Sequence, residues 1–277
     1  MAQGVNTVRA RCRSPAGGAA KKSAGGGSVR WLAGLVVLAV GVLGVGQGLS
    51  VSAAVRIRYY GHAFFVVTAP DGVRFAIDPY GQIGYPLPEV SADVVLVTHE
   101  HRDHNNVGLV RGARTVLRGL TADGRDWNRI RERVGVTTVT SIPSFHDDQG
   151  GTSPRGLNTF FLMEMGDLRL AHLGDVGQPA LTDAQLRALG RLDVLMIPVG
   201  DGPFTIGAAE ATRITEQLQP AVVIPMHYKT AARPDWPGTD EGPFLAGKRD
   251  VLRTGTTYEV RKDRLPRPTR VVVMAWR

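Results

Sequence analysis

The sequence predicts an α/β fold, on three observations. After residue 55, short runs rich in Val, Ile, Phe and Thr alternate with stretches of helical periodicity. Two turn signals, Pro70-Asp71-Gly72 and Gly166-Asp167, each sit between a pair of those runs, as in a β-hairpin. Several strand-like runs end on a histidine or an aspartate, and the carboxyl ends of strands are where α/β sheets carry their chemistry. With 277 residues, 43% hydrophobic and 21% charged, the chain has ample length for a buried core. No repeat or linker interrupts 56–277, which reads as one domain.

Taken in order, Arg56–Tyr60, Phe64–Ala69 and Arg74–Ile77 form an opening set of strands, the last two joined by the Pro70-Asp71-Gly72 turn. Asp93–Thr98 contains the apolar run Val94-Val95-Leu96-Val97 and reads as a buried strand. Arg125–Val134 reads as a helix, and Thr137–Ile142 as the strand that follows it. Thr159–Met165 and Leu168–Leu173 flank the Gly166-Asp167 turn. Thr182 caps a helix running to about Leu189, Val194–Val199 is a strand, and Thr205 caps a helix over Ala208–Leu218. Ala221–Pro225 and a final pair, Thr257–Arg261 and Arg270–Ala275, complete the sheets.

The formal charge of +8 is unevenly spread. Residues 1–55 hold Arg9, Arg11, Arg13, Lys21, Lys22 and Arg30 and no acid, which leaves 27 basic against 25 acidic groups, or +2, in the body. A basic face for nucleic acid is therefore not expected, and the partner is a small-molecule substrate. Residues 1–30, rich in Gly, Ala, Ser and Arg, read as a disordered basic leader. Residues 31–55 carry no charge, and small residues Ser52, Ala53 and Ala54 close them, as in a signal peptide; an uncleaved membrane anchor is the alternative. Both place the body outside the cytoplasm, periplasmic, extracellular or anchored facing outward, with membrane contact only through this segment. The single cysteine, Cys12, lies in the leader, so the body has neither disulfide nor thiol chemistry. Nothing in the sequence specifies an oligomeric state.

The densest chemistry is His99-Glu100-His101-Arg102-Asp103-His104, directly after the Val94–Val97 run. Neutral imidazoles suit zinc, manganese or iron, and a carboxylate adds the hard oxygen ligand that lets two cations sit close together. Four further runs deliver a metal-type residue at or just past their ends: Arg74–Ile77 at Asp78, Thr137–Ile142 at His146, Leu168–Leu173 at Asp175 and Ala221–Met226 at His227. Convergence of such residues at strand ends argues for a single site.

The order Asp78, His99-x-His101-x-Asp103-His104, His146, Asp175, His227 resembles the five motifs of the metallo-β-lactamase superfamily across 56–277. Tyr60-Gly61-His62-Ala63-Phe64-Phe65, Ile77-Asp78-Pro79, Arg155-Gly156-x-Asn158-Thr159 and Pro225-Met226-His227-Tyr228 are similar to its L-ascorbate-6-phosphate lactonase-like branch of metal-dependent hydrolases. The resemblance implies a four-layer αββα sandwich with the site at the rim between two sheets. It assigns His99, His101 and His146 to one metal, Asp103, His104 and His227 to a second, and Asp175 to a bridge. Two divalent ions, zinc first and manganese or iron also suited, would lower the pKa of a shared water and yield a metal-bound hydroxide for attack on an ester, lactone or phosphodiester. Asp103 would also be catalytic, orienting the nucleophile or passing a proton to the leaving group. Asp78 would steady the ligand loop through hydrogen bonds.

Other residues have two readings each. His62 reaches the substrate or packs as a structural histidine. Tyr228, Lys229 and Arg155 grip an anionic substrate group or lie in solvated loops, and Asn158 shares the motif of Arg155. His172, three residues before Asp175, points to the opposite strand face and packs internally. Arg233–Lys248, with Trp236, Phe244 and prolines 234, 237 and 243, is an ordered loop that lines the pocket or packs on the surface. The competing functions are an iron-dependent oxygenase of the same fold, which would leave part of the ligand set unused, a nuclease, a non-catalytic binding protein and a β-lactamase.

Overall fold

A computed structural model describes residues 54–277. The readings made for residues 1–30, and for the apolar stretch up to residue 53, lie outside the described residues.

Strands β1 (Val55–Gly61), β2 (Phe64–Thr68) and β3 (Arg74–Ile77) open the fold, followed by β4 (Val90–Ser91), β5 (Val94–Val97), β6 (Val110–Arg111) and β7 (Thr115–Arg118). Then come β8 (Arg131–Val134), β9 (Thr137–Phe145), β10 (Leu157–Met165) and β11 (Leu168–His172). Helix α1 (Asp183–Leu189), β12 (Val194–Pro198), α2 (Ala208–Leu218) and β13 (Val222–Met226) precede α3 (Gly242–Leu245), β14 (Val251–Thr254), β15 (Thr257–Val260) and β16 (Arg270–Met274).

The strands make a six-stranded sheet in the order β15-β1-β2-β3-β5-β7 and an eight-stranded sheet in the order β14-β16-β13-β12-β11-β10-β9-β8. β4 and β6 pair separately. Strand β11 runs parallel to β12, and β12 to β13, with α1 and α2 as the crossovers. Threonine and glutamine explain where α1 starts: Thr182 Oγ1 accepts from the Gln185 backbone N–H while the Gln185 side chain pairs back to the Thr182 backbone, a reciprocal capping box.

Period-two alternation sorts the apolar side chains into layers. Ile57, Tyr59, Phe65, Phe75, Ile77 and Leu96 from the first sheet meet Phe161, Met163, Leu170, Met196 and Ile224 from the second in a fully buried inter-sheet core. The intervening residues point outward. Phe160, Leu162, Leu195 and Ile197 pack beneath Leu189 of α1, Ala211 and Ile214 of α2 and Phe244 of α3. Phe64, Val66, Ala76, Val95 and Val97 are covered by Tyr80, Tyr85, Val90 and Val110. The expected α/β sandwich is present; this second outer layer is built from loops and the β4–β6 ribbon.

Two local expectations are corrected. Arg125–Val134 is not a helix: its backbone and side chains find partners in other segments. Trp127 Nε1 donates to the Asn158 and Ser144 carbonyls, Asn128 Nδ2 to those of Arg118 and Leu120, and the Ile130 N–H to Ser141 Oγ. Its end, Arg131–Val134, is instead an exposed edge strand whose charges suit a sheet margin. The cap of α2 is Gly207, and Thr205 Oγ1 donates to the Ile206 carbonyl instead. The two final strands join different sheets, β15 antiparallel to β1 and β16 parallel to β13.

The reading of a signal-bearing or membrane-anchored, exported protein is also corrected. Among the described residues no helix is long and apolar enough to cross a membrane.

Candidate metal centre

Each potential ligand follows the carboxyl end of a strand. His62 follows β1, Asp78 follows β3, His99 lies two residues past β5, His146 follows β9, Asp175 comes after β11, and His227 follows β13. His101, Asp103 and His104 complete the turn that leaves β5. Three of these positions have left-handed backbone: His62 at φ 55°, Asp78 at φ 50° and His227 at φ 53°. Strained φ values concentrated at strand ends are characteristic of functional sites. Two glycines permit the close packing that fixes the ligand backbones. A Cβ on Gly177 would lie 2.5 Å from the His146 carbonyl oxygen, and one on Gly200 would lie 2.2 Å from that of His227.

Asp175 is the centre of the cluster. Its Oδ2 lies 3.1 Å from His104 Nε2, 3.1 Å from His227 Nε2, 3.4 Å from His146 Nε2 and 3.8 Å from His99 Nε2. Two further groupings overlap it: His99, His101 and His146, and His62, Asp103, His104 and His227. In each grouping one ligand-type atom per residue lies within 4.8 Å of the others. His99 Nε2, His104 Nε2, Asp175 Oδ1 and both ring nitrogens of His146 and His227 are buried without a hydrogen-bond partner in the protein. Orphaned buried nitrogens are costly, and a set of them aimed at shared carboxylates is the donor set of a cation site. The residues therefore fit divalent metal.

An outer layer of hydrogen bonds aims this set. Asp78, fully buried, accepts from the Thr98 backbone N–H at 2.8 Å and from Thr98 Oγ1 at 2.6 Å, and pairs with His104 Nδ1 at 2.9 Å. Thr98 Oγ1, its proton committed to Asp78, is left as acceptor for His99 Nδ1 at 2.9 Å. Both histidines are thereby turned with Nε2 toward Asp175. Asn158 does the same for Asp175: its Oδ1 accepts the Asp175 N–H at 3.1 Å, while Nδ2 donates to the Leu173 carbonyl and to Ser144 Oγ. His172 Nδ1 accepts from the Gly174 N–H, which leaves Nε2–H for the Ala63 carbonyl at 3.0 Å.

Burial and neighbouring charge set the protonation. Burial, reinforced by His227, lowers the His62 pKa to about 3, so His62 is neutral and donates through Nε2 to Asp103 Oδ2 at 3.2 Å. Burial also lowers His99, His101 and His172. His104 is the exception: burial would lower it, but Asp175 and Asp78 on its two nitrogens raise it well above the usual histidine range. Burial pushes the Asp103 carboxyl upward, and the His62 hydrogen bond and His104 outweigh it and hold it low. Asp175 is likewise held low against burial by His104 and His227. A cation arriving at His104 Nε2 must displace a proton.

The structure separates the remaining expected residues. Asn158 lies under the site, and Arg155 stands in a cavity of about 800 Å³ that opens on His101 and His146. Tyr228 and Lys229 are corrected: both line a different cavity with Thr230, Glu241, Arg253 and Trp276, and none of the clustered histidines borders it. Their neighbour His227 turns the chain at positive φ, so the residues that follow it face away. Of the Arg233–Lys248 segment, Trp236 reaches the site, its ring packed edge-on to His227 at 5.2 Å and to His62 at 5.7 Å. Phe244 instead belongs to α3 and the core. Thr98, Trp127 and Phe204 were not singled out by the sequence; Thr98, adjoining a ligand at a strand end, offered the one usable signal.

The family model described as a β-lactamase superfamily domain matches residues 56–227. A UPF0173 metal-dependent hydrolase of Archaeoglobus fulgidus is 33% identical over 235 residues, covering 75% of this chain and 100% of that protein. Among solved structures, one from Thermotoga maritima described as a Zn-dependent hydrolase of the metallo-β-lactamase superfamily is similar at 30% identity and TM-score 0.60, covering 79% of this chain and 98% of that one. The CmlA β-hydroxylase shares the fold alone, at 16% identity and TM-score 0.52, over 75% of this chain and 54% of that one.

Proposed function

The chain belongs to the β-lactamase superfamily, among metal-dependent hydrolases, and on that premise we propose that it uses two divalent cations to hydrolyse a small ester, lactone or phosphodiester. The observation that carries this reading is the convergence of four imidazole nitrogens from three strand ends on Asp175 Oδ2, within 3.1–3.8 Å. His99, His101 and His146 would hold one cation and Asp103, His104 and His227 the other, with Asp175 available to both. Zinc suits the imidazoles best, and manganese or iron is compatible with the two carboxylates. When bound, such a pair lowers the pKa of a shared water toward neutrality and polarises the substrate oxygen.

The protein's own groups perform the rest. Asp78 and Thr98 fix the tautomers of His104 and His99, and Asn158 fixes Asp175. Asp103, restrained by neutral His62 through one carboxylate oxygen, is the group placed to orient the attacking water or return a proton to the leaving group. Substrate enters from the cavity bordered by His101 and His146. The complete set of second-cation ligands favours hydrolysis over oxygenase chemistry. The test is metal analysis of the purified full chain, followed by a screen of 4-nitrophenyl esters, lactones, phosphodiesters and β-lactams. Turnover that tracks divalent metal content supports the proposal; about one iron per chain with oxygen uptake and no hydrolysis overturns it.

A further inference from the structure

Beside the candidate metal centre lies a row of four side chains, one of which, Arg155, is already a candidate grip for an anionic substrate group. Arg233 Cζ stands 4.1 Å above the Trp236 ring, Trp236 packs on Phe204 at 4.5 Å, and Arg155 Cζ stands 4.6 Å from Phe204. The row is therefore cation, aromatic, aromatic, cation, and its middle touches the His227 and His62 rings.

Arg233 is held in place. Its backbone N–H donates to the Thr230 carbonyl and its carbonyl accepts from Trp236 N–H, which sets both side chains on one turn. A Cβ on Gly84 would lie 3.2 Å from Arg233 Cγ, so the stem is packed as well. Yet the guanidinium has no carboxylate within 4.0 Å among the described residues, and its Nη1 is buried with no hydrogen-bond partner. Arg155 also lacks an ion-pair partner among the described residues. Four acids line its cavity, Asp147, Asp148, Asp201 and Glu210, none of them paired with it; Asp147, the buried one, already accepts from the N–H groups of Gln149, Gly151 and Ser153. Burial lowers the Arg233 pKa while Asp103 opposes that, so the cation and the metal-side carboxylate feel each other.

A partly buried guanidinium with an unmet donor, fixed by packing, is a seat for an oxyanion, because its planar fork matches a carboxylate or phosphate in two parallel hydrogen bonds. We propose that Arg233, stacked on Trp236, is a specificity-determining residue that seats an anionic oxyacid group of the substrate remote from the bond cleaved, with Arg155 at the far end of the same aromatic shelf. The inference rests on the hydrolase reading, which it narrows to substrates carrying a carboxylate or a phosphate.

The test compares mono-4-nitrophenyl adipate, whose remote carboxylate is too distant for easy attack on its own ester, with neutral 4-nitrophenyl acetate. The preference is the ratio of their kcat/KM values in the metal-loaded full chain. In parallel, succinate and inorganic phosphate are titrated separately into metal-free protein and followed by tryptophan fluorescence, which tells the two oxyacids apart. Arg233→Gln is expected to lower the anionic preference by about tenfold or more and to weaken one of the two titrations comparably, with Arg233→Lys recovering part of each. A preference and both dissociation constants unchanged within about twofold overturn the clamp. Should Arg233→Gln fail to fold, Arg155→Gln applies the same ratio at the other end of the shelf. Wild-type protein that turns over neither ester, but loses oxyacid binding on Arg233→Gln, counts against the hydrolase reading and supports the clamp.

Discussion

Replacing Asp78 by Asn separates the ligand-aiming network from the ligands themselves. The substitution keeps shape, and Asn tolerates the left-handed φ of 50° at this position, so backbone strain is not introduced. The amide can retain the Thr98 N–H bond at Oδ1. It cannot accept at the second position, where the carboxylate now takes Thr98 Oγ1 at 2.6 Å and His104 Nδ1 at 2.9 Å. Hydrogen bonds to a charged group are worth about 1.5–3 kcal/mol each. Loss of this pair releases His104 directly and His99 through Thr98, one ligand of each proposed cation. Outer-layer changes of this kind cost about 10–100-fold in metal affinity. Zinc affinity, measured by chelator competition, is therefore expected to fall by about 10–100-fold while the far-UV circular dichroism stays native. Unchanged affinity would refute the aiming role, and lower thermal stability without an affinity change would reduce Asp78 to a packing residue.

Two further outcomes are expected. Gly200→Ala places a Cβ 2.2 Å from the His227 carbonyl oxygen and 2.7 Å from Tyr228 Cα, both backbone, so it should displace His227 and lower metal affinity by about tenfold or more; a variant with wild-type zinc binding would show that this packing is dispensable. Stability of the metal-free protein is expected to peak near pH 6.5. Below that value His62, with a folded pKa of about 3, and the buried His99 and His172 stay neutral while the unfolded chain takes up protons, so stability is lost as pH falls, by up to ~1.4 kcal/mol per pH unit for each group. Above it His104, raised by Asp175 and Asp78, keeps a proton the unfolded chain releases, so its contribution fades as pH rises. Urea midpoints in chelator at about pH 5, 6.5 and 8 check both arms, and greater stability at the acidic end would contradict the assignment.

The parts of this molecule legible in its sequence are those governed by short-range rules. Short runs of β-branched and aromatic residues located β2, β3 and β5, and turn chemistry located both hairpins. Thr182, read as a cap, located α1. The strand-end rule gathered residues as distant as Asp78 and His227 into one place, because strands of a packed sheet share an end. What failed depended on tertiary contact. Arg125–Val134 has helical residue types but spends its polar groups on Asn158, Ser144 and Arg118, and Arg131–Val134 then pairs at an edge. Tyr228 and Lys229 adjoin a ligand in sequence, yet the positive φ at His227 turns them into another cavity. The aperiodic Arg233–Lys248 loop allows either the pocket or the surface by its aromatic content, and only tertiary contact decides that Trp236 takes the site and Phe244 the core. The leader's charge pattern suggested export, and nothing in the described residues or the relatives carries that reading forward.

The most direct test counts metal in the purified full chain and in Asp175→Ala by plasma mass spectrometry after exposure to zinc and desalting. The account expects about two equivalents per chain in the wild type and a clear loss in the variant, since on the proposed reading Asp175 would serve both cations. Wild-type protein that retains no divalent metal, or a variant that keeps the full complement, would contradict it.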